Sequence, residues 1–172
     1  AQAILLIESP GNHNQKSFVG ARGPFQLMPS IATKYGGLKV TRYVDERTDL
    51  AKSATAAAKF IDKVVLPHTR DILDQHNLEY NEDDLWFRLM ALHVYHAGAG
   101  NVGRVMNVIQ PKEGGMELIR KMWRTEAGGF KNQSQNYSQI ALASMLRFDE
   151  IIGLNDNPLF LTMQGELMIA GQ

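Results

Sequence analysis

Apolar residues recur in this chain at helical spacing, and glycine or proline cuts each run short. From Asp49 to Val65 the apolar positions Leu50, Ala54, Ala57, Ala58, Ile61, Val64 and Val65 define one amphipathic face, expected to stop before Pro67. The small Ala54, Ala56, Ala57 and Ala58 allow close approach of a neighbouring helix, besides favouring the helix itself. A further helical piece is expected over His68 to His76, and an acidic start at Asn81 to Asp84 leads into Leu85, Trp86, Leu89, Met90, Leu92 and His93. That helix runs to Tyr95 and His96 and ends at Gly98-Ala99-Gly100. Asn101 to Gln110 and Glu117 to Trp123 read as helices around a Pro111 to Gly115 turn. Ser134 to Ile152 reads as a longer helix with Tyr137, Ile140, Ala141, Met145, Phe148, Ile151 and Ile152 near one face. Pro29 suits the first turn of a short helix ending at Gly36-Gly37, and the stretch from Leu38 to Thr48 is irregular. The expectation is an all-α chain.

At 172 residues one domain can bury a core without disulfides, and cysteine is absent. Lysine plus arginine and aspartate plus glutamate number 18 each, so the overall field does not recruit nucleic acid. No apolar run reaches membrane-spanning length; Gln164 and Glu166 interrupt the segment from Leu159 to Ala170. The chain starts inside a helical pattern without a basic leader, which reads as a processed or trimmed start rather than an intact signal peptide. Residues 154–172 are expected to form a tail that packs along a single domain over residues 1–153.

The chemistry concentrates near the N-terminus. Glu8 ends the apolar run Ala3-Ile4-Leu5-Leu6-Ile7, and Ser9-Pro10-Gly11 stops the helix after it. A carboxyl there faces the negative end of the helix dipole among apolar neighbours, and both effects favour its protonated form. Such a group serves as a proton donor near neutral pH, although a solvated glutamate at a helix end is the plainer alternative. The next acid is Asp45, with Lys16, Arg22, Lys34, Lys39 and Arg42 between. Ser17 and Gln26 add uncharged hydrogen-bonding groups, a set suited to a polyhydroxylated, amide-bearing ligand. No Gly-rich phosphate loop is present.

Glu8-Ser9, Ser17, Gly20-Ala21-Arg22-Gly23 and Gln26-Leu27-Met28-Pro29 resemble the catalytic region of lytic transglycosylases. These soluble, lysozyme-like enzymes of the goose-type lysozyme superfamily cleave the peptidoglycan backbone. Ala91-Leu92-His93-Val94-Tyr95-His96-Ala97-Gly98-Ala99-Gly100 is similar to the family's Ala-Tyr-Asn-Ala-Gly motif, and Asn136-Tyr137 to its third motif. The order of the three motifs matches the family over roughly residues 1 to 152. The resemblance implies a lysozyme-like helical domain with a glycan-binding groove, Glu8 as the catalytic acid, and Ser17, Gln26, Met28, Tyr95, His96, Ala97 and Tyr137 as substrate contacts. Met28 serves equally well as gap-filling packing, and Tyr95 as a core aromatic. His96 stands where the family has Asn, Gly23-Pro24-Phe25 replaces Gly-Leu-Met, and Gln133-Ser134-Gln135-Asn136-Tyr137 replaces Glu-Thr-Arg-x-Tyr. His93 and His96 are three apart, but no third ligand stands at metal spacing, so neither a metal nor another cofactor is expected.

Most glycosidases hold two carboxylates across the scissile bond, whereas a substrate-assisted enzyme needs one. The resemblance implies that Glu8 protonates the oxygen between N-acetylmuramic acid and N-acetylglucosamine, then as a base closes a 1,6-anhydro ring. Asp45, Glu46 or Asp49 folding back toward Glu8 would instead give a hydrolysing muramidase, and a non-catalytic glycan-binding module is the third reading. The implied partners are peptidoglycan strands, met by a monomer in the bacterial cell envelope, periplasmic or secreted.

Overall fold

The computed structural model describes residues 2–9 and 12–152, with side chains described for residues 3–9 and 12–146. The expected tail at 154–172, and Pro10 and Gly11 of the first helix stop, lie outside the described residues. The described chain is all-α, as its periodicity predicts, with isolated β-bridges in place of strands. It divides at Val64 and Val65 into two compact units.

The N-terminal unit holds α1 (Gln2–Glu8), α2 (Pro29–Lys34) and α3 (Leu50–Phe60), with a single 3-10 turn at Glu46–Thr48 in the irregular stretch. Pro29 opens α2, where the first backbone N–H has no intrahelical acceptor. Asp49 caps α3, its carboxylate accepting from the Lys52 N–H at 2.9 Å. Ala56 and Ala57 of α3 are fully buried, and the segment after α2 exploits their small size. A β-carbon added at Gly36 would stand 2.5 Å from Ala56 Cβ and 2.6 Å from the Ala32 carbonyl oxygen.

Helical backbone continues through Pro67 rather than stopping before it. Ile61–Val65 forms a π turn, and α4 (Leu66–Gln75) follows directly. Proline has no N–H for the carbonyl four residues back and its ring crowds that carbonyl; widening the preceding turn relieves both problems. The period of apolar residues marks a helix on each side of Pro67 but carries no sign of the wider turn.

In the C-terminal unit α5 (Leu85–Ala97) lies against α4, α6 (Ala99–Ile109), α7 (Met116–Met122) and α8 (Gln133–Ile152). Trp86, Phe87, Leu89, Met90, Ala91, His93 and Val94 of α5 are all buried, which makes it the core helix of this unit. Gly114 sits on the Trp86 ring, where an added β-carbon would come within 2.6 Å of ring carbons. One residue, Gly98, separates α5 from α6, so α6 begins two residues before the expected Asn101. On α8 the buried stripe is Tyr137, Ser138, Ala141 and Leu142, while Ile140, expected near the apolar face, is exposed.

Replacing Gly36 by Ala forces a methyl group against Ala56 and the Ala32 carbonyl. The expected loss is about 1–3 kcal/mol of unfolding free energy, read as a lower urea midpoint.

Candidate functional site

In the N-terminal unit Glu8 is the last residue of α1 and is partly exposed. After it the chain forms a compact loop from Asn12 to Met28, held by main-chain bonds and one buried cation. The Ser17 N–H donates to the Ala21 carbonyl and Ser17 Oγ accepts from the Ala21 N–H, both at 2.9 Å, which closes a tight turn. Gln26 takes a left-handed backbone, with φ of 45°. Its amide nitrogen donates to the carbonyls of Gln15, at 3.0 Å, and Gly23, at 2.9 Å. The side-chain nitrogen thus holds the loop, and the amide oxygen is the remaining polar end. Met28 is exposed at the N-cap position of α2.

The buried cation is Arg47. Its Nε and Nη2 grip both Asp45 oxygens, at 2.8 and 2.7 Å, while Nη1 donates to the carbonyls of Gly20 and Leu27, each at 2.9 Å. One planar fork therefore gathers the two ends of the Gly20–Leu27 segment. Gly23 is required within it on two counts. Its φ is +83°, and any β-carbon would run into the Arg47 backbone carbonyl. Arg22 adds a second cation on Asp45 at 3.3 Å. The Arg47 hydrogen bonds, ahead of the opposing effect of burial, hold the Asp45 carboxyl below its ordinary range.

The other two acids considered as helpers are also engaged. Glu46 accepts from the Lys39 N–H at 2.7 Å and from Lys52 Nζ at 2.6 Å, which lowers its pKa. Asp49 is the cap of α3. Sequence reading did not find the Asp45–Arg47 clamp. An Asp two residues before an Arg is unremarkable, and nothing local announces carbonyls twenty or more residues away.

In the C-terminal unit Tyr95, His96 and Ala97 form the last turn of α5, each partly exposed. The Ala97 carbonyl accepts from Asn101 Nδ2 at 2.9 Å, while Asn101 Oδ1 accepts from the Gly129 N–H at 3.1 Å and from Arg104 at 3.0 Å. Asn101 thereby closes the α5–α6 junction and ties the 128–129 turn to it, a role that sequence reading missed. Tyr137 is buried, with its ring stacked on His96 at 4.2 Å between centroids and 19° between planes.

His93, one turn back, faces the core. Its Nδ1 lies 3.0 Å from the Ser134 carbonyl oxygen and its Nε2 lies 2.8 Å from Ser138 Oγ, which in turn accepts from Trp123 Nε1 at 2.7 Å. A carbonyl can only accept, so Nδ1 carries the proton; in the neutral ring that burial favours, Nε2 accepts from the serine hydroxyl. Burial is the main cause that pushes the His93 pKa down from 6.5 to about 4, outweighing the Ser134 bond. Both ring nitrogens are therefore committed to the core. Among the described residues no group of three or more His, Asp or Glu is arranged to hold a metal ion.

The structure thus gathers Ser17, Gln26 and Met28 on and beside one clamped loop in the first unit. In the second, Tyr95, His96 and Ala97 share a helix end, with Tyr137 behind His96. A family model described as "Transglycosylase SLT domain" matches residues 1–114. No curated protein and no solved structure matches the chain.

Two outcomes follow for stability. Truncating Arg47 to Ala leaves Asp45 with Arg22 alone and strands two carbonyls, with an expected loss of about 3–5 kcal/mol by chemical denaturation. Lysine, unable to reproduce the fork, recovers only part of it. Between about pH 4 and 6.5 the unfolded chain binds a proton at His93 that the folded chain refuses. The His93 contribution is therefore whole above pH 6.5 and is lost as pH falls toward 4, by about 3 kcal/mol in all. Denaturation midpoints measured across this range should show that slope, and a His93→Gln variant should lack its share.

Proposed function

Because the chain belongs to the transglycosylase SLT domain family, whose members act on peptidoglycan, we propose that it is a lytic transglycosylase using Glu8 as its single acid and base. The substrate is the β-1,4 bond between N-acetylmuramic acid and N-acetylglucosamine. Protonated Glu8 gives its proton to the bridging oxygen, and the bond from muramoyl C1 breaks with its electron pair leaving on that oxygen. The neighbouring N-acetyl carbonyl stabilises the oxocarbenium-like C1. Glu8, now ionised, takes the proton of the sugar's own C6 hydroxyl as that oxygen bonds to C1. The product is a 1,6-anhydromuramoyl end, and Glu8 returns to its protonated form.

One observation carries the one-acid reading. The three carboxylates closest in sequence after Glu8 are each already engaged: Asp45 by Arg47 and Arg22, Glu46 by Lys52 and a backbone N–H, Asp49 by the start of α3. Recruiting any of them as a general base means breaking a clamp, an ion pair or a helix cap. A hydrolysing muramidase needs that second base to activate water.

The remaining groups bind and orient. Gln26 presents its amide oxygen to a sugar N–H or hydroxyl, on a side chain whose nitrogen is anchored twice. Ser17 adds a hydroxyl whose oxygen already accepts from the Ala21 N–H, so it donates to the glycan. Met28 and Tyr95 supply apolar contact for pyranose faces. His96 and the Ala97 main chain address the N-acetyl or peptide substituents, and Tyr137 acts through His96 by setting the plane of its ring. The setting proposed is the bacterial cell envelope, periplasmic or secreted, where such strands lie.

The test is mass spectrometry of muropeptides released from purified peptidoglycan. Anhydro ends, one water lighter than hydrolytic ends, are expected; hydrolytic ends would assign the chain to the muramidases. Glu8→Gln keeps size and hydrogen bonding but removes the exchangeable proton. Cleavage should fall about 100-fold or more with glycan binding retained, and an active Gln variant refutes the role of Glu8.

A further inference from the structure

Two loop tips of the N-terminal unit break the rule that large apolar side chains are covered. Phe18 is fully exposed and Val19 nearly so, at the tip of the turn closed by Ser17 and Ala21. Tyr43 is 88% exposed with Val44 partly exposed beside it, at the tip of a second turn in which the Thr41 N–H donates to the Val44 carbonyl at 2.7 Å. Their exposure does not come from loose loops. The first turn is flanked by the Lys16–Arg22 bridge and the second by the Val40–Asp45 bridge. Arg22 and Arg47 then join the two stems through Asp45, and Arg47 also holds the Gly20 carbonyl.

The two tips share a composition: a cation, an aromatic ring and a valine, as Lys16 with Phe18-Val19 and as Arg42-Tyr43-Val44. Lys16, Arg42 and the neighbouring Lys39 are exposed, and their side chains form no ion pair among the described residues. The acids of this region, Asp45 and Glu46, are held by Arg47, Arg22 and Lys52. What the tips present is therefore apolar at the end and positive at the shoulder. An anionic lipid surface matches both halves: rings and valines enter the headgroup boundary while ammonium and guanidinium groups meet lipid phosphates.

We propose that the tips at Phe18-Val19 and Tyr43-Val44, with Lys16, Lys39 and Arg42, form a docking surface for an anionic membrane, binding peripherally rather than spanning. The first tip adjoins Ser17, a proposed glycan contact, but membrane docking needs no proton transfer by Glu8 and is tested independently of it. The experiment is sedimentation of the whole chain with vesicles of phosphatidylglycerol and phosphatidylcholine, compared with phosphatidylcholine alone. Binding is expected to the anionic vesicles only and to weaken as salt is raised. Phe18→Ser with Tyr43→Ser should weaken it by roughly tenfold or more. Lys16→Glu with Arg42→Glu, which leaves the apolar tips intact, should abolish the preference for anionic lipid. All four positions are exposed, and an unchanged thermal transition verifies folding. Absence of vesicle binding overturns the proposal, as does equal binding to neutral vesicles or binding that both double variants retain in full. Loss of binding to purified peptidoglycan in the double variants, with no vesicle binding by the parent, assigns the tips to the glycan instead.

Discussion

A guanidinium withdrawn from water must satisfy five N–H donors, and at Arg47 four of the resulting bonds organise the N-terminal unit. Two go to a carboxylate on its own 3-10 turn and two to carbonyls at opposite ends of the Gly20–Leu27 segment. That segment has almost no regular structure to absorb its main-chain polarity, so a forked cation substitutes for a strand partner. The arrangement explains why Gly23 has no side chain and why Arg22 leans on the same carboxylate. It also explains how a loop of mostly irregular backbone presents Ser17 and Gln26 in fixed positions.

The same clamp bears on the chemistry by subtraction. An acid that neutralises a buried arginine is poorly suited to trading protons near neutral pH, since its ionised form is the one the fold requires. Asp45 is in that position, Glu46 is in a milder version of it, and Asp49 is occupied as the cap of α3. With these carboxylates spoken for, the proposed reaction assigns the proton transfers to Glu8 and the nucleophile to the substrate.

Helix content was legible because burial imposes a period on the apolar residues, and the buried face of α5 falls where that period puts it. On α3 the helix is where the period puts it but the face is turned: Ser53, Ala56 and Ala57 are buried, while Leu50 and Ala58 of the expected face are exposed. The passage through Pro67 was not, because a π turn changes hydrogen-bond partners without changing residue types. Of the candidate site, the residue types and their order were readable, while their local duties were not. Gln26 looks like a free amide in sequence, yet its nitrogen is bound twice to the loop. His93 and His96 look alike three residues apart, yet one is sealed in a Trp123–Ser138–Ser134 network and the other lies on Tyr137. The two histidine assignments depend on residues about forty positions away, which no local pattern encodes.

The junction at Gly98 limits how this part of the chain can diversify. With one residue between two helices and Asn101 locked to the Ala97 carbonyl, an added or deleted residue would rotate one helix by about 100° against the other. Length change is therefore closed to drift at this place, and novelty enters only by exchanging one side chain for another on an unaltered frame. A histidine at position 96, where the motif this stretch resembles has an asparagine, is an exchange of that permitted kind.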